Sequence, residues 1–203
     1  MRKRVQVTKM LAAGLIFFAV IMSGNCEAQE MLNQNERLEI FVLIQSMGGD
    51  TAAKSDFEKL ELELDDTVAG GLGIGYNLNE NLNVNFDMFF ASTDMTGKYY
   101  SRQAKVDTDM IGMDVNLEFN ILKRADTPVT PLITGGIGCI RFENDDLKIG
   151  ETDFSYNLGA GVRWEITKNF FIKGIYRATW TKLEDSDGNI MLDGMTLNVG
   201  YIF

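Results

Sequence analysis

The chain has 203 residues and a formal net charge of −10, from 19 Lys and Arg against 29 Asp and Glu. This acidic balance argues against nucleic-acid binding, because phosphate recognition needs a basic surface. The sequence contains no histidine, which is the usual general base near neutral pH and a main ligand of zinc and haem. We therefore predict that the protein is not an enzyme and that it holds no metal ion and no cofactor.

The first 28 residues have the layout of a secretory signal peptide. Basic residues at positions 2–4 and 9 precede an apolar run from 10 to 22, and small residues follow before Gln29. The run falls short of the ~20 residues that span a bilayer, which disfavours an N-terminal membrane anchor. We predict that residues 1–28 are removed and that residues 29–203 form one exported domain.

Alternation between apolar and polar residues, with a period of two, recurs through the rest of the chain and predicts β-strands. The last nine residues show it best, because large apolar residues at 195, 197, 199, 201 and 203 are separated mostly by small or polar ones. A helix would scatter such residues around its axis. Eight strands are predicted, near Arg37–Ser46, Thr67–Leu78, Leu82–Ser92, Val106–Leu122, Val129–Phe142, Phe154–Ile166, Phe170–Thr181 and Met191–Phe203.

The connections between these strands alternate in length. Short turns near 79–81, 124–127 and 167–169 contrast with longer, charged segments at 47–66, 93–105, 143–153 and 182–190. This asymmetry is typical of outer-membrane barrels, whose long loops lie outside the cell. An exported chain that crosses a membrane without a helix needs a closed barrel to pair its backbone. We therefore predict an all-β fold, an eight-stranded antiparallel up-and-down transmembrane β-barrel in the cell outer membrane.

The alternation also assigns a face to most strands. The apolar set, which includes Val115, Leu117, Val162 and Trp164, is predicted to face lipid, and the intervening polar set to face the lumen. An eight-stranded barrel is barely wide enough for its own side chains. Inward charges of both signs are therefore expected to pair and close the lumen, with a selective ion path as the alternative. The predicted lumen charge network consists of Asp87, Asp114, Glu118, Arg163, Glu165, Lys173 and Arg177.

Three features together resemble one known family. They are the stretch Gly-Ile-Gly-Tyr-Asn-Leu-Asn-Glu-Asn-Leu at 73–82, the eight alternating segments, and the Gly-Tyr-Ile-Phe end at 200–203. The chain resembles the outer-membrane β-barrel domain family, the small OmpA/OmpX-type proteins, over the whole of 29–203. The resemblance implies that Tyr201 and Phe203 form the signal read by the barrel-assembly machinery during insertion. It also implies a monomer surrounded by outer-membrane lipid and lipopolysaccharide.

Members of that family serve as structural, adhesive or other surface proteins, so three functions remain open. The first is a structural or surface-interaction protein with a closed, charge-packed lumen, which acts through its acidic extracellular loops. The second is a narrow channel for small or apolar solutes. The third is a soluble, lipocalin-like binding barrel, which predicts apolar side chains inside and polar side chains outside.

Overall fold

The computed structural model describes residues 37–50, 52–55, 60–99, 102–124, 126–144, 149–182 and 189–203. The predicted signal peptide, residues 1–28, lies outside the described residues. Within the described ranges, no helix is long and apolar enough to cross a membrane. The strands are β1 (Arg37–Asp50), β2 (Ala52–Ser55), β3 (Leu60–Leu64), β4 (Thr67–Asn77), β5 (Leu82–Tyr99), β6 (Arg102–Asn120), β7 (Val129–Asn144), β8 (Ile149–Glu165), β9 (Phe170–Lys182) and β10 (Asn189–Ile202).

Eight of these strands close into one ring. β1 pairs with β4 on one side and with β10 on the other, and β5 pairs with both β4 and β6. The strands from β6 to β10 pair consecutively, and every pairing is antiparallel. The prediction of an all-β, eight-stranded antiparallel barrel is therefore confirmed. Closure pairs both edges of every strand in the ring, which a membrane interior requires.

The pairing is staggered around the ring. Starting from Asp87 on β5, the cross-strand partner on each successive strand can be traced around the ring. In the direction of β4, β1 and β10, this path reaches Phe171 on β9. Partners followed the other way, through β6, β7 and β8, lead to Thr181, ten residues further along β9. Such a stagger requires tilted strands, typically at about 35–45° to the barrel axis. Side chains on strands that are not neighbours can therefore meet across the lumen.

The strands at the loop end of the barrel are longer than the sequence predicts. β5 and β6 form a hairpin that continues to the pair Tyr99–Arg102, where the sequence predicts a loop at 93–105. The predicted loop at 47–66 contains β2 and β3, and β3 pairs with the last residues of β5. β3 does alternate, as Leu-Glu-Leu-Glu-Leu, and the prediction of a loop at 47–66 overlooked this signal. The extension of β5 beyond residue 92 shows no such alternation, because both faces of a strand can be solvated beyond the apolar band.

The outer surface of the barrel is apolar and much of the inner surface is polar. Outward Leu117 and Leu158 are 51% and 62% exposed, whereas inward Asn116, Glu118 and Arg163 are at most 1% exposed. The predicted lipid-facing and lumen-facing sets agree with this orientation. A soluble barrel would bury its large apolar side chains, so the lipocalin-like alternative is wrong.

Inward glycines give the largest lumen side chains room. Phe41 and Phe171 lie edge to face, with ring centroids 6.2 Å apart. Both approach Gly200 so closely that a Cβ atom there would collide with the Phe171 ring and with the Cβ of Phe41. A Cβ atom on Gly73 would likewise meet the Phe41 ring. These glycines therefore permit two aromatic rings inside a narrow barrel.

Candidate functional site

A buried ion pair crosses the lumen near the end of the barrel that carries the short turns. Glu39 on β1 accepts hydrogen bonds from both terminal nitrogens of Arg163 on β8. The Nη1–Oε2 and Nη2–Oε1 distances are 3.1 and 2.7 Å, and neither side chain is exposed. Because β9 and β10 separate β1 from β8 in the ring, this bidentate pair ties together strands that are not neighbours.

Lys173 on β9 and Glu118 on β6 extend the pair. Lys173 Nζ lies 2.9 Å from Glu118 Oε2 and 3.7 Å from Glu39 Oε2, and Arg163 Nη1 lies 3.8 Å from Glu118 Oε1. The ring of Phe171 lies under both cations, 4.3 Å from the Arg163 guanidinium carbon and 5.0 Å from Lys173 Nζ. Its π face stabilises positive charge in a desolvated place.

Arg124, in the turn between β6 and β7, covers these groups from the turn end. Its Nη1 lies 3.3 Å from Glu39 Oε1 and 3.7 Å from Glu165 Oε1. It also donates hydrogen bonds to the carbonyl oxygens of Asn79 and Glu80 in the neighbouring turn. One side chain therefore joins two turns to the lumen charges.

These six residues are termed the turn-end ion cluster. The cluster contains three acidic and three basic side chains, namely Glu39, Glu118, Arg124, Arg163, Glu165 and Lys173. Glu165 joins it through a 3.0 Å hydrogen bond from Arg163 Nε. Burial lowers the pKa of the Arg124 guanidinium from its usual value and Arg163 adds to that shift, whereas Glu39 and Glu165 oppose it.

A second group of charges lies farther toward the loop end. Arg177 on β9 places Nη2 3.2 Å from Asp87 Oδ2 and Nη1 3.7 Å from Asp114 Oδ2. Asp87 and Asp114 are direct cross-strand partners on β5 and β6. Asn116 Nδ2 donates a 2.9 Å hydrogen bond to Asp87 Oδ2. Asp87, Asp114 and Arg177, all at most 3% exposed, are termed the Arg177 cluster.

The structure thus divides the predicted lumen network into two groups and adds two residues to it. Sequence reasoning misses Glu39, because its face of β1 also carries apolar Phe41 and Leu43, so the inner face does not stand out. The apolar residues at 38, 40, 42 and 44 were the signal that could have placed Glu39 inside. Arg124 lies in a turn, where no period assigns a direction.

The lumen also contains an apolar cluster that the sequence analysis did not predict. Met47 and Ala69 lie near the loop ends of β1 and β4, Met110 lies near the middle of β6, and Phe171 and Ile202 lie at the turn ends of β9 and β10. The cluster lies where strands carry apolar residues on both faces, so the sequence there shows no alternation between apolar and polar residues. The lumen is therefore filled partly by charge and partly by apolar side chains. The apolar cluster consists of Phe41, Leu43, Met47, Ala69, Phe89, Ala91, Met110, Ile140, Phe142, Phe171, Leu192 and Ile202.

The C-terminal residues lie at the seam where the ring closes. Tyr201 pairs with Ile40 of β1, and the backbone N–H of Phe203 donates a 2.9 Å hydrogen bond to the Leu38 carbonyl. The rings of Tyr201 and Phe203 lie edge to face, 5.1 Å apart. The last strand is thus paired with the first over residues 196–202 and 191–193.

Comparison with known proteins gives the same architecture. The sequence pattern of a family described as the outer membrane protein beta-barrel domain matches residues 44–203. OprG from Pseudomonas aeruginosa is similar with a TM-score of 0.58 at 14% identity, over 83% of this chain and 96% of that chain. Neisserial surface protein A gives 0.56 at 12% identity, over 83% and 97%. No curated protein matches the chain. At such identities the structural likeness shows the fold alone.

Proposed function

Since this chain belongs to the outer membrane protein beta-barrel domain family, we propose that it acts as a structural or surface-interaction protein and not as a pore or an enzyme. Its location is the cell outer membrane, where lipid surrounds the apolar outer face. The sequence has no histidine, which supports a role without acid–base chemistry near neutral pH.

The observation that carries this proposal is the fully buried Glu39–Arg163 pair, reinforced by Lys173 and Glu118. An ion that crossed this level would have to separate paired charges in a low-dielectric lumen. Removing one partner from a buried pair leaves an uncompensated charge, which is strongly unfavourable. The apolar cluster adds a second barrier, because it offers a desolvated ion no hydrogen bonds. A closed lumen leaves the surface as the working part of the protein.

The surface role is assigned to the acidic segments at the loop end, which lie outside the cell in barrels of this kind. Positions 50–66 carry seven acidic and two basic residues, and positions 182–193 carry four acidic and one basic residue. A field of one sign raises the encounter rate with partners of the opposite sign. We therefore propose basic surfaces as the class of partner.

Export and assembly complete the proposal. Residues 1–28 are removed as a signal peptide, and the barrel-assembly machinery reads Tyr201 and Phe203. The position of the C-terminal strand at the seam supports this, because the barrel is complete only when this strand pairs with β1. The folded protein works as a monomer in lipid and lipopolysaccharide, and its surface role uses no cofactor and no metal.

The decisive experiment is electrical. Purified mature protein in planar bilayers is expected to show no steady conductance above the lipid baseline. Stable, ion-selective channels would overturn the closed-lumen proposal in favour of the narrow channel, an alternative that the many polar side chains of the inner face keep open.

The surface role has its own test. Replacing Glu184, Asp185 and Asp187 by the corresponding amides should reduce binding of protein-containing vesicles to polylysine-coated beads. The wild-type protein should lose the same binding as salt is raised, since screening weakens exposed charges. Equal binding by the variant and the wild type would contradict a role for this acidic segment.

A further inference from the structure

Two glycines of β7 form a bare strip of backbone on the inner wall of the barrel. Gly136 is the cross-strand partner of Asn116 on β6 and of Asn157 on β8. Gly138 is the partner of Asp114 on β6. A Cβ atom on Gly136 would collide with Asn116 Oδ1, and one on Gly138 would collide with Asp114 Oδ1. Two side-chain oxygens of β6 thus lie directly on the β7 backbone, with Asn157 on the far side of the strip.

Several polar atoms around this strip lack hydrogen-bond partners, although the Ser155 hydroxyl on β8, across Gly138, interacts with the Asp114 carboxylate. Among the described residues none bonds Asp114 Oδ1, Asn116 Oδ1, or either the oxygen or the nitrogen of the Asn157 amide. The three side chains are only 2%, 1% and 2% exposed. Unpaired buried polar atoms occur along much of the described lumen, but at this strip they lie beside two carboxylates that share one guanidinium. Buried polar groups are normally paired by protein, water or a bound species. Because both ends of the Asn157 amide are unpaired, its oxygen can turn toward the strip without breaking a bond.

The charges at this level do not balance. Asp87 and Asp114 share Arg177, which is the one basic side chain of the described residues within ion-pair distance of either. Two carboxylates and one guanidinium leave one negative charge in the middle of the barrel. The turn-end ion cluster, by contrast, matches three acidic with three basic side chains. A buried negative charge without a counter-charge is costly.

We propose that the strip over Gly136 and Gly138 binds one monovalent hard cation, of the sodium or potassium class. Asp114 Oδ1, Asn116 Oδ1 and Asn157 Oδ1 supply the ligands. Carboxylate and amide oxygens are the donors that hard cations prefer. A single positive charge neutralises the Arg177 cluster, whereas a divalent ion would leave an excess positive charge beside the Arg177 guanidinium. The site is a structural one within the lumen and is independent of any surface partner.

The test is crystallography of the mature protein refolded and crystallised with thallium(I) in place of sodium and potassium. The expected result is one anomalous peak within coordination distance of Asp114, Asn116 and Asn157. The Asp114→Asn variant, which keeps the side-chain shape, should lose the peak. The matched control is Asn198→Ala, which removes another lumen amide with an unpaired oxygen and should keep the peak.

A solution measurement accompanies it. The urea midpoint of unfolding should be lower in choline chloride than in potassium chloride at equal ionic strength, and Asp114→Asn should abolish that difference. The absence of an anomalous peak in the wild-type crystal would overturn the proposal, whether or not the variants fold. An infrared carboxylic-acid band at neutral pH that disappears in Asp114→Asn would also overturn it, because a proton would then supply the missing positive charge.

Discussion

Glu39 and Arg163 join strands β1 and β8 through two parallel hydrogen bonds across the lumen, although 124 positions separate them in the chain. The pair is bidentate and fully buried, which is the geometry in which an arginine–carboxylate contact is strongest. It fixes the first strand against a strand on the far side of two others. The ring closure at the C-terminal seam therefore depends on backbone pairing and on this cross-lumen contact together.

The first prediction is that Arg163→Ala destabilises the barrel by about 3–5 kcal/mol, because it removes the bidentate partner of buried Glu39 and leaves three acidic against two basic side chains in the turn-end ion cluster. Urea unfolding of the refolded protein in lipid vesicles measures the loss. Removing both partners, as Glu39→Ala with Arg163→Ala, should cost less than the sum of the single losses.

The matched control for that prediction is Arg141→Ala. Arg141 pairs with Glu143 at 2.8 Å, but both side chains are roughly half exposed, and exposed pairs contribute only about 0–1 kcal/mol. Similar losses at Arg163 and Arg141 would show that the lumen is hydrated enough to make burial unimportant.

The sequence predicts those parts of the fold in which alternate side chains face lipid, because lipid-facing positions must be apolar. Val162 and Trp164 must face lipid, so Arg163 between them must face the lumen, and the same logic places Glu118 and Lys173. Glu39 is harder to place, although Leu38 and Ile40 flank it, because its inner-face neighbours Phe41 and Leu43 are apolar as well. Contacts across the lumen depend on the stagger of the ring, which no local pattern encodes.

The second prediction concerns depth in the membrane. Leu117 and Leu122 are similarly exposed, at 51% and 48%, but Leu117 lies inside β6 and Leu122 lies in the turn that follows. Leu117→Arg should cost about 2–4 kcal/mol, as for a cation near the bilayer midplane, and Leu122→Arg about 0–1 kcal/mol. Reversible unfolding in vesicles gives both values. A larger cost at Leu122 would contradict the placement of the apolar band.

The third prediction separates inward from outward glycines. Gly200→Ala should destabilise the barrel by about 1–3 kcal/mol, the usual cost of overpacking, since the new methyl group meets Phe171 and Phe41. Gly174→Ala is the control, because a Cβ atom there has no neighbour within 4 Å. It should be neutral or stabilising by about 0.4–1 kcal/mol through the unfolded chain. Equal losses for the two variants would mean that Gly200 is not needed for aromatic packing.

Two barriers of different chemistry lie along the lumen. At the turn end, an ion must displace paired charges, and toward the loop end it must enter a region lined by Phe89, Met110 and Leu192. The ion cluster offers an ion only charges that are already paired, and an apolar constriction excludes an ion unless it widens enough to admit water. The two barriers act in series, so either one alone keeps the lumen closed.

The last prediction follows from this serial arrangement. Phe89→Ala should leave the protein electrically silent in planar bilayers, because the turn-end ion cluster remains intact. Arg163→Ala should also be silent, because the apolar cluster remains. The combined variant should show steady conductance, provided that its heat-dependent shift in gel mobility confirms a folded barrel. Steady channels from Phe89→Ala alone would show that the ion cluster does not obstruct ions, and the closed lumen would then depend on apolar packing only.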